Sequence, residues 1–365
     1  MYEIKVVVAV SGVKNSGKTT LITRLLPFLT GYGLRVATIK HDGHEFEGDV
    51  PGTDTYKHMQ AGAYGTAVFS DRRFMVVKQE AGVTEERLWE MFPEADLILM
   101  EGFKGSRYPK IETARQCVST ELVCEREGLL GIAADFDIPD RGEIPCFSLD
   151  EAGAIADLIY NYWYCSRHMS MVVLAGGRSS RMGTDKAELR LGDKTFLQHQ
   201  ISKGEALGIK DIVVSGYRGK WCERPVVFDR YPGKGPLGGL EAALRRVKHR
   251  ACLVLSVDVP LISVEELRRL IGCSRESGGE AGSQAEITVL RHGGQMEPLI
   301  GVYRRDLADE MERSLEEGKV RSFLDKAGYK VYESAGEEGM LLNVNDWEDY
   351  ERARGVLINM FECLG

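Results

Sequence analysis

A chain of 365 residues with 43% hydrophobic content is too long for one ordinary core and long enough for two, so two domains are expected. A formal net charge of −8 argues against broad binding along a phosphate backbone, which needs a concentrated basic surface, and so against a nucleic-acid partner. The eight cysteines (Cys117, Cys124, Cys146, Cys165, Cys222, Cys252, Cys273 and Cys363) are dispersed without a C-x-x-C pair, a pattern of reduced, mostly buried thiols rather than of a zinc site or a disulfide framework.

Glu3 and Lys5 precede a run of only five small apolar residues, 6–10, too short for a signal peptide or a membrane span; a cytoplasmic location with no membrane attachment is expected. Residues 4–10 are a continuous β-branched run, as a strand buried on both faces would be. A glycine-rich turn follows, then residues 19–29 read as a helix with Pro27 as its stop or kink. Residues 34–39 form a second strand, 67–69 and 74–77 weaker ones, and 96–100 an apolar run ending in Glu101. A strand at 128–133 and a closing helix at 151–160 complete an alternation that predicts a mostly parallel α/β sheet.

Around 161–170 the pattern lapses into an aromatic and polar stretch, then restarts with an apolar run at 171–174 and a second glycine-rich turn. The domain boundary is placed there to within about five residues, dividing 1–165 from 166–365. Further strands are expected at 211–215, 226–228, 252–257, 287–291 and 299–303, and helices at 237–247, 264–271 and 306–317. Residues 273–286, rich in Ser, Gly and Glu, read as a mobile loop.

Gly12-Val13-Lys14-Asn15-Ser16-Gly17-Lys18-Thr19 fits G-x-x-x-x-G-K-[ST] between an expected strand and an expected helix, the context that the phosphate-binding P-loop requires. Its glycines let backbone N–H groups curl around phosphate oxygens, with Asn15, Ser16 and Thr20 in the same turn. Lys18 would neutralise the outer phosphates and Thr19 would offer its hydroxyl to Mg²⁺. A P-loop also needs an acidic residue at the end of a neighbouring strand, and Glu101 is placed for that second metal-holding role. His41, His44 and Asp49 lack a compact ligand spacing and read as a polar loop near the phosphates.

The second loop, Leu174-Ala175-Gly176-Gly177-Arg178-Ser179-Ser180-Arg181-Met182-Gly183-Thr184-Asp185-Lys186, follows a strand. Paired glycines there let a base and ribose approach the backbone, and Arg178, Arg181 and Lys186 put three cations within one loop. A triphosphate attacked at its α-phosphorus needs such cations, because charge builds on the departing pyrophosphate.

The N-terminal motifs GVKNSGKTT (12–20), TIKHDGH (38–44), the stretch from Asp49 through Lys57-His58 to Ala61-Gly62-Ala63, and Glu101-Gly102-Phe103-Lys104 together resemble the molybdopterin-guanine dinucleotide adapter proteins, MobB. The resemblance covers most of residues 1–160 and implies GTP binding with slow hydrolysis beside a guanylyltransferase. The loop at 174–186 resembles the L-A-G-G-x-S-x-R-M-G-x-D-K signature of the molybdenum cofactor guanylyltransferases, MobA, followed in order by Asp229, the Gly235-Pro236-Leu237-Gly238-Gly239-Leu240 stretch, Asp258-Val259-Pro260 and Asn343-Val344-Asn345.

That resemblance spans residues 170–350, and the two together imply a P-loop NTPase domain followed by a Rossmann-like nucleotidyltransferase domain. It assigns Leu174, Ala175, Gly176 and Gly177 to the guanine nucleotide, Lys186 to the phosphates, Asp229 to the nucleotide and Asp258 to Mg²⁺ and nucleotide, with Arg181, Lys186 and Asp258 as the catalytic set. Ser215 stands where the family often has Asn; its hydroxyl can still donate one hydrogen bond but reaches less far toward the nucleotide. Arg321 is a candidate grip on the acceptor. The implied substrates are GTP and molybdenum-molybdopterin. The implied partners are a molybdenum insertase, molybdoenzyme apoproteins or their chaperones, and a second copy of the N-terminal domain.

Three other readings remain open from the sequence. One is a cytidylyltransferase, whose relatives tend to have L-A-A-G where this chain has Leu174-Ala175-Gly176-Gly177. The others are a sugar-phosphate nucleotidyltransferase and an N-terminal domain that binds GTP without chemistry of its own.

Overall fold

The structure is a computed structural model that describes residues 5–42, 46–139, 141–176, 184–219, 222–275, 287–316, 319–336 and 339–362. The chain divides into two compact units, Met1–Phe136 with Phe147–Gly153, and Asp137–Cys146 with Ala154–Gly365. The elements of its N-terminal part are β1 (Val6–Ser11), α1 (Lys18–Gly31), β2 (Val36–Lys40), α2 (Asp54–Gln60), β3 (Gly65–Phe69), β4 (Phe74–Lys78), α3 (Glu85–Trp89), β5 (Leu97–Glu101), β6 (Lys110–Ala114), β7 (Leu129–Ala134), β8 (Cys146–Ser148) and α4 (Ala152–His168). Six of the strands make one sheet in the order β2-β5-β1-β6-β7-β8, and the registered pairs β2·β5, β5·β1, β1·β6 and β6·β7 are parallel.

All six residues of β1 are buried, which is why its sequence runs apolar without alternation. Helix α1 covers it with Leu21, Ile22, Leu25 and Leu29, a stripe at helical spacing. Of the two roles expected for Pro27, stop or kink, the stop does not hold, since α1 runs on to Gly31. The carbonyl that Pro27 leaves without a donor belongs to exposed Thr23 on the solvent face, where water can serve it. Among the described residues, strands β3 and β4 pair only with each other, as an antiparallel hairpin apart from the parallel sheet.

Strand β6 was not expected, because Lys110, Glu112 and Thr113 interrupt its apolar residues, yet all of its five residues are buried. Lys110 Nζ donates to Ser106 O at 2.6 Å, and Glu112 accepts from the backbone of Val123 (2.6 Å) and Cys124 (3.2 Å). Buried polar groups that find partners in this way are compatible with a central strand. Residues 161–168, read as a lapse in the pattern, continue α4. Tyr160 and Tyr164 lie one turn apart and share the Arg275 guanidinium, at 5.0 and 4.3 Å from the ring centroids.

The second unit continues with β9 (Met169–Leu174), β10 (Arg190–Leu191), β11 (Lys194–Thr195), α5 (Phe196–Ala206), β12 (Asp211–Ser215), β13 (Val226–Val227), α6 (Gly235–Arg246), β14 (Ala251–Ser256), α7 (Val264–Arg275), β15 (Ile287–His292), β16 (Gln295–Arg304), α8 (Ala308–Arg313), α9 (Val320–Ala327), β17 (Lys330–Glu333) and α10 (Trp347–Glu362). Its main sheet, β13-β12-β9-β14-β16-β15-β17, is mixed. Strands β13, β12, β9 and β14 are parallel to one another, β16 runs antiparallel to both β14 and β15, and β17 is parallel to β15. Alternation along β9 sends Met171 and Val173 into one core layer with Phe196 and Leu267, and Val172 and Leu174 into the other with Leu237 and Tyr303. Of the expected mobile loop, 273–275 form the last turn of α7 and 276–286 lie outside the described residues.

In both units the registers align the carboxyl ends of adjacent parallel strands, where α/β sheets place their ligands. Val10 and Lys40 both lie opposite Glu101 in the first unit. Ser215 and Ser256 both lie opposite Leu174 in the second.

Candidate nucleotide sites

The chain leaves β1 through Gly12 (φ 137°) and reaches α1 through Asn15 (φ 67°) and Gly17 (φ 100°), so three left-handed residues wind one short loop. A side chain at Gly12 would put its Cβ 2.3 Å from Thr113 O, so glycine is required there by space as well as by φ. Ser16 points inward and bonds the Thr113 hydroxyl at 2.6 Å, and that hydroxyl also reaches Ser11 O at 3.0 Å, which pins the loop to β6. Lys18 Nζ folds back onto the carbonyls of Gly12 (3.1 Å) and Val13 (2.6 Å). Burial, opposed by Glu101 and reinforced by Lys40 and Lys104, holds the Lys18 ammonium below its usual value.

Thr19 Oγ1 donates to Glu101 Oε1 at 2.8 Å, and Lys40 Nζ stands 3.7 Å from the same oxygen. The expected hydroxyl–carboxylate pair is therefore assembled from residues 82 positions apart. These groups and Thr20 line a cavity of about 1250 Å³ at the carboxyl edge of the sheet. His41 lies on its wall, its ring 5.6 Å from that of Phe103. Asp49 is bound up in its own turn by Thr53 and the Val50 backbone, and hydrogen bonding led by Thr55 holds its carboxyl low. His44 lies outside the described residues, and among those described no group of three or more His, Cys, Asp or Glu side chains could hold a metal by itself.

In the second unit, Leu174 and Ala175 are buried at the end of β9, and Gly176 and Gly216 pass backbone against backbone. A Cβ at Gly176 would lie 3.1 Å from Gly216 Cα, and one at Gly216 (φ 77°) would lie 2.5 Å from Gly176 Cα. A side chain at the first glycine of the pair would press on the Gly216 backbone, so this position packs the strand end whatever it does for a base. Gly177 and Arg181, together with Arg178, lie outside the described residues.

Lys186 re-enters on a short helical turn, with Nζ 2.9 Å from Asn345 Oδ1 and 3.8 Å from Asp258 Oδ2. Asp258 is itself fixed: Ser256 Oγ donates to Oδ1, and the Asp258 carbonyl accepts Val344 N at 2.8 Å. The Asn343-Val344-Asn345 segment therefore closes over Asp258 and Lys186. Ser215 is buried and donates to Gly239 O at 3.0 Å, so its hydroxyl secures the second turn of α6. Asp229 faces the same turn, 3.2 Å from where a Cβ of Gly239 would be, and burial raises its carboxyl above the ordinary range. Arg321 is exposed in the first turn of α9.

Two features of this site had no clear signal in the sequence. Glu297 on β16 is half-buried, and its carboxyl is pushed above the usual range first by burial and then by the Asp258 charge. Gln200, fully buried on α5, donates to Ser256 O and Val259 O, both at 2.8 Å, and Lys203 Nζ donates to Pro260 O at 2.6 Å. Together they hold the carbonyls on either side of Asp258. On sequence alone they read as ordinary polar positions of a helix.

The fold and loops define a P-loop nucleotide-binding module followed by a nucleotidyltransferase. Residues 7–135 match the family profile described as molybdopterin guanine dinucleotide synthesis protein B, and residues 171–331 match that of the MobA-like NTP transferase domain. The chain is 32% identical over 195 residues to the "Probable molybdenum cofactor guanylyltransferase" of Carboxydothermus hydrogenoformans, spanning 51% of this chain and 95% of that protein. It is 33% identical over 195 residues to the molybdenum cofactor guanylyltransferase of Syntrophotalea carbinolica, spanning 51% and 90%. It is also 32% identical over 157 residues to the molybdopterin-guanine dinucleotide biosynthesis adapter protein of Escherichia coli, spanning 40% and 87%. The chain belongs to both families, as a fusion of a MobB module with a molybdenum cofactor guanylyltransferase.

Proposed function

We propose that the second unit transfers GMP from GTP to molybdenum-molybdopterin, giving the guanine dinucleotide cofactor and pyrophosphate. The observation that supports this most is the convergence of Lys186, Asp258 and Asn345 at the carboxyl edge of the sheet. A phosphate oxygen of the acceptor forms a bond to the α-phosphorus of GTP as the bond to the β-phosphate oxygen breaks. No nucleophilic side chain is required. Lys186 sits where it can neutralise the phosphates, and Asp229 and the backbone at 174–176 face the nucleotide.

Asp258, with Glu297 beside it, suits Mg²⁺, which is commonly held by one or two carboxylates together with substrate phosphates. Thr19 and Glu101 suit it in the P-loop site in the same way. Bound there, Mg²⁺ would offset phosphate charge. That the relatives are named molybdenum cofactor guanylyltransferases supports GTP over CTP as the donor and molybdenum-molybdopterin over a sugar phosphate as the acceptor.

The first unit acts as a GTP-binding adapter with slow hydrolysis, and the functional division at 165/166 lies within α4, beyond the point at 153/154 where the compact units part. It pairs with a second copy of itself through the β3–β4 hairpin, where Phe69 and Phe74 are 84% and 73% exposed beside half-exposed Val68 and Val76. A molybdenum insertase and molybdoenzyme apoproteins or their chaperones are the protein partners this role calls for. Dispersed free cysteines agree with a cytoplasmic setting.

The test is pyrophosphate release by the full chain with Mg²⁺, GTP and molybdenum-molybdopterin. Release should require the acceptor and fall by about two orders of magnitude or more in Asp258→Asn, the scale of losing one well-placed electrostatic group. Acceptor-independent release, or an unchanged rate in Asp258→Asn, would refute the assignment.

A further inference from the structure

We infer that Arg115 is a phosphate-binding residue of the P-loop site, supplying, from just past the end of β6, a cation that the P-loop motif does not contain. The inference rests on the reading of residues 12–19 as a nucleotide cradle. Strand β6 pairs with β1 in the register Val10↔Ile111 and Ser11↔Glu112, so the chain leaving β6 runs beside the chain entering the loop. Thr113 fixes that neighbourhood through Ser16 and Ser11, two residues before Arg115.

The Arg115 backbone is equally constrained. Its carbonyl accepts from Val118 N and Ser119 N, both at 2.9 Å, and the next amide, Gln116 N, donates to Asp135 Oδ1 at 2.7 Å. From this anchored position the guanidinium lies against Gly17. A Cβ on Gly17 would be 3.2 Å from Arg115 Nε and 3.3 Å from Nη2, and the side chain lines the same cavity as Lys18, Thr19 and Glu101.

What points to a ligand is the state of that guanidinium. Arg115 Nε is buried and has no hydrogen-bond partner, and among the described residues no carboxylate pairs with the side chain, although the protein forms many Arg–carboxylate pairs elsewhere. A buried N–H left without an acceptor is costly, and such groups persist where a ligand completes them. The planar fork of an arginine beside backbone amides at a helix N-terminus matches phosphate oxygens of a nucleoside triphosphate. Lys18 meets those oxygens from the helix side and Arg115 from the β6 side.

Because the chain has two nucleotide sites, the test reads each separately. Hydrogen–deuterium exchange of the full chain is followed against Mg²⁺–GTP concentration in peptides covering 12–20, with peptides covering 211–217 as the internal reference. Arg115→Ala should raise the protection midpoint at 12–20 about tenfold or more, the loss expected for one charged hydrogen-bonding group. Arg115→Lys should recover part of it. Exchange without nucleotide, and the midpoint at 211–217, should not change. If Arg115→Ala fails to fold, Arg115→Gln takes its place.

A midpoint within twofold of the wild type overturns the inference. So does a shift matched by faster exchange of 12–20 without nucleotide, which would show Arg115 merely propping up the loop. Lys18→Ala separates the two levels: loss of protection there with none in Arg115→Ala removes only Arg115, whereas no protection in the wild type removes the P-loop reading itself.

Discussion

Glu297 shows how one residue can trade stability for a site. Its folded-state value lies above the ordinary carboxyl value of 4.5, so the charged form is the one penalised by folding. The favourable balance is complete below about 4.5 and is lost as pH rises through the raised folded value. Glu297→Gln removes this penalty. It should therefore raise Tm relative to the wild type at pH 7–8 in the absence of Mg²⁺ and nucleotide, with the difference closing as pH falls toward 4.5. The same variant should lose transfer activity by about tenfold or more and need more Mg²⁺ for half-maximal rate. Thermal melts across that range, paired with a Mg²⁺ titration, check both halves. A variant that melts lower than the wild type at pH 8, or transfers at full rate, would show that Glu297 is an ordinary strand residue.

Among the elements, α5 has the least expected influence on the chemistry. Replacing Gln200 with Leu leaves the carbonyls of Ser256 and Val259 unpaired in a buried setting, at about 1–3 kcal/mol each before water or relaxation intervenes. The Asp258 turn should loosen, lowering kcat on the order of tenfold with KM for GTP little changed. Steady-state kinetics at saturating acceptor distinguish this from lost nucleotide binding, which would raise KM instead. The glycine loops were legible in the sequence because their chemistry is local. Gly12, Asn15 and Gly17 serve one turn of backbone, and a strand before it and a helix after it can be read from periodicity. Strand β6 was not legible, since Lys110, Glu112 and Thr113 hide a buried strand whose polar groups are satisfied only by distant partners, and Arg115 was lost with it. The grouping of Lys186, Asp258 and Asn345 could be expected from the order of motifs, but its geometry depends on the short helical turn at 186–188, the end of β14 and a segment near residue 344. Glu297 precedes Pro298 in a long strand and offers no local pattern at all.

At the scale of the whole molecule, each unit has its own core, sheet and glycine loop, and among the described residues no helix is long and apolar enough to cross a membrane. Lys18→Ala should therefore weaken nucleotide binding at residues 12–20 while GMP transfer, measured with saturating GTP and acceptor, stays within about threefold of the wild type. Abolished transfer would mean that the P-loop takes part in the chemistry. Base choice distinguishes most directly between the guanylyl and cytidylyl readings. The full chain is given equal GTP and CTP with molybdenum-molybdopterin and Mg²⁺, and the dinucleotide product is identified by mass. A site built to hydrogen-bond guanine should favour GTP by about a hundredfold in kcat/KM, so the expected product is the guanine dinucleotide with pyrophosphate. Comparable amounts of the cytosine dinucleotide would contradict it.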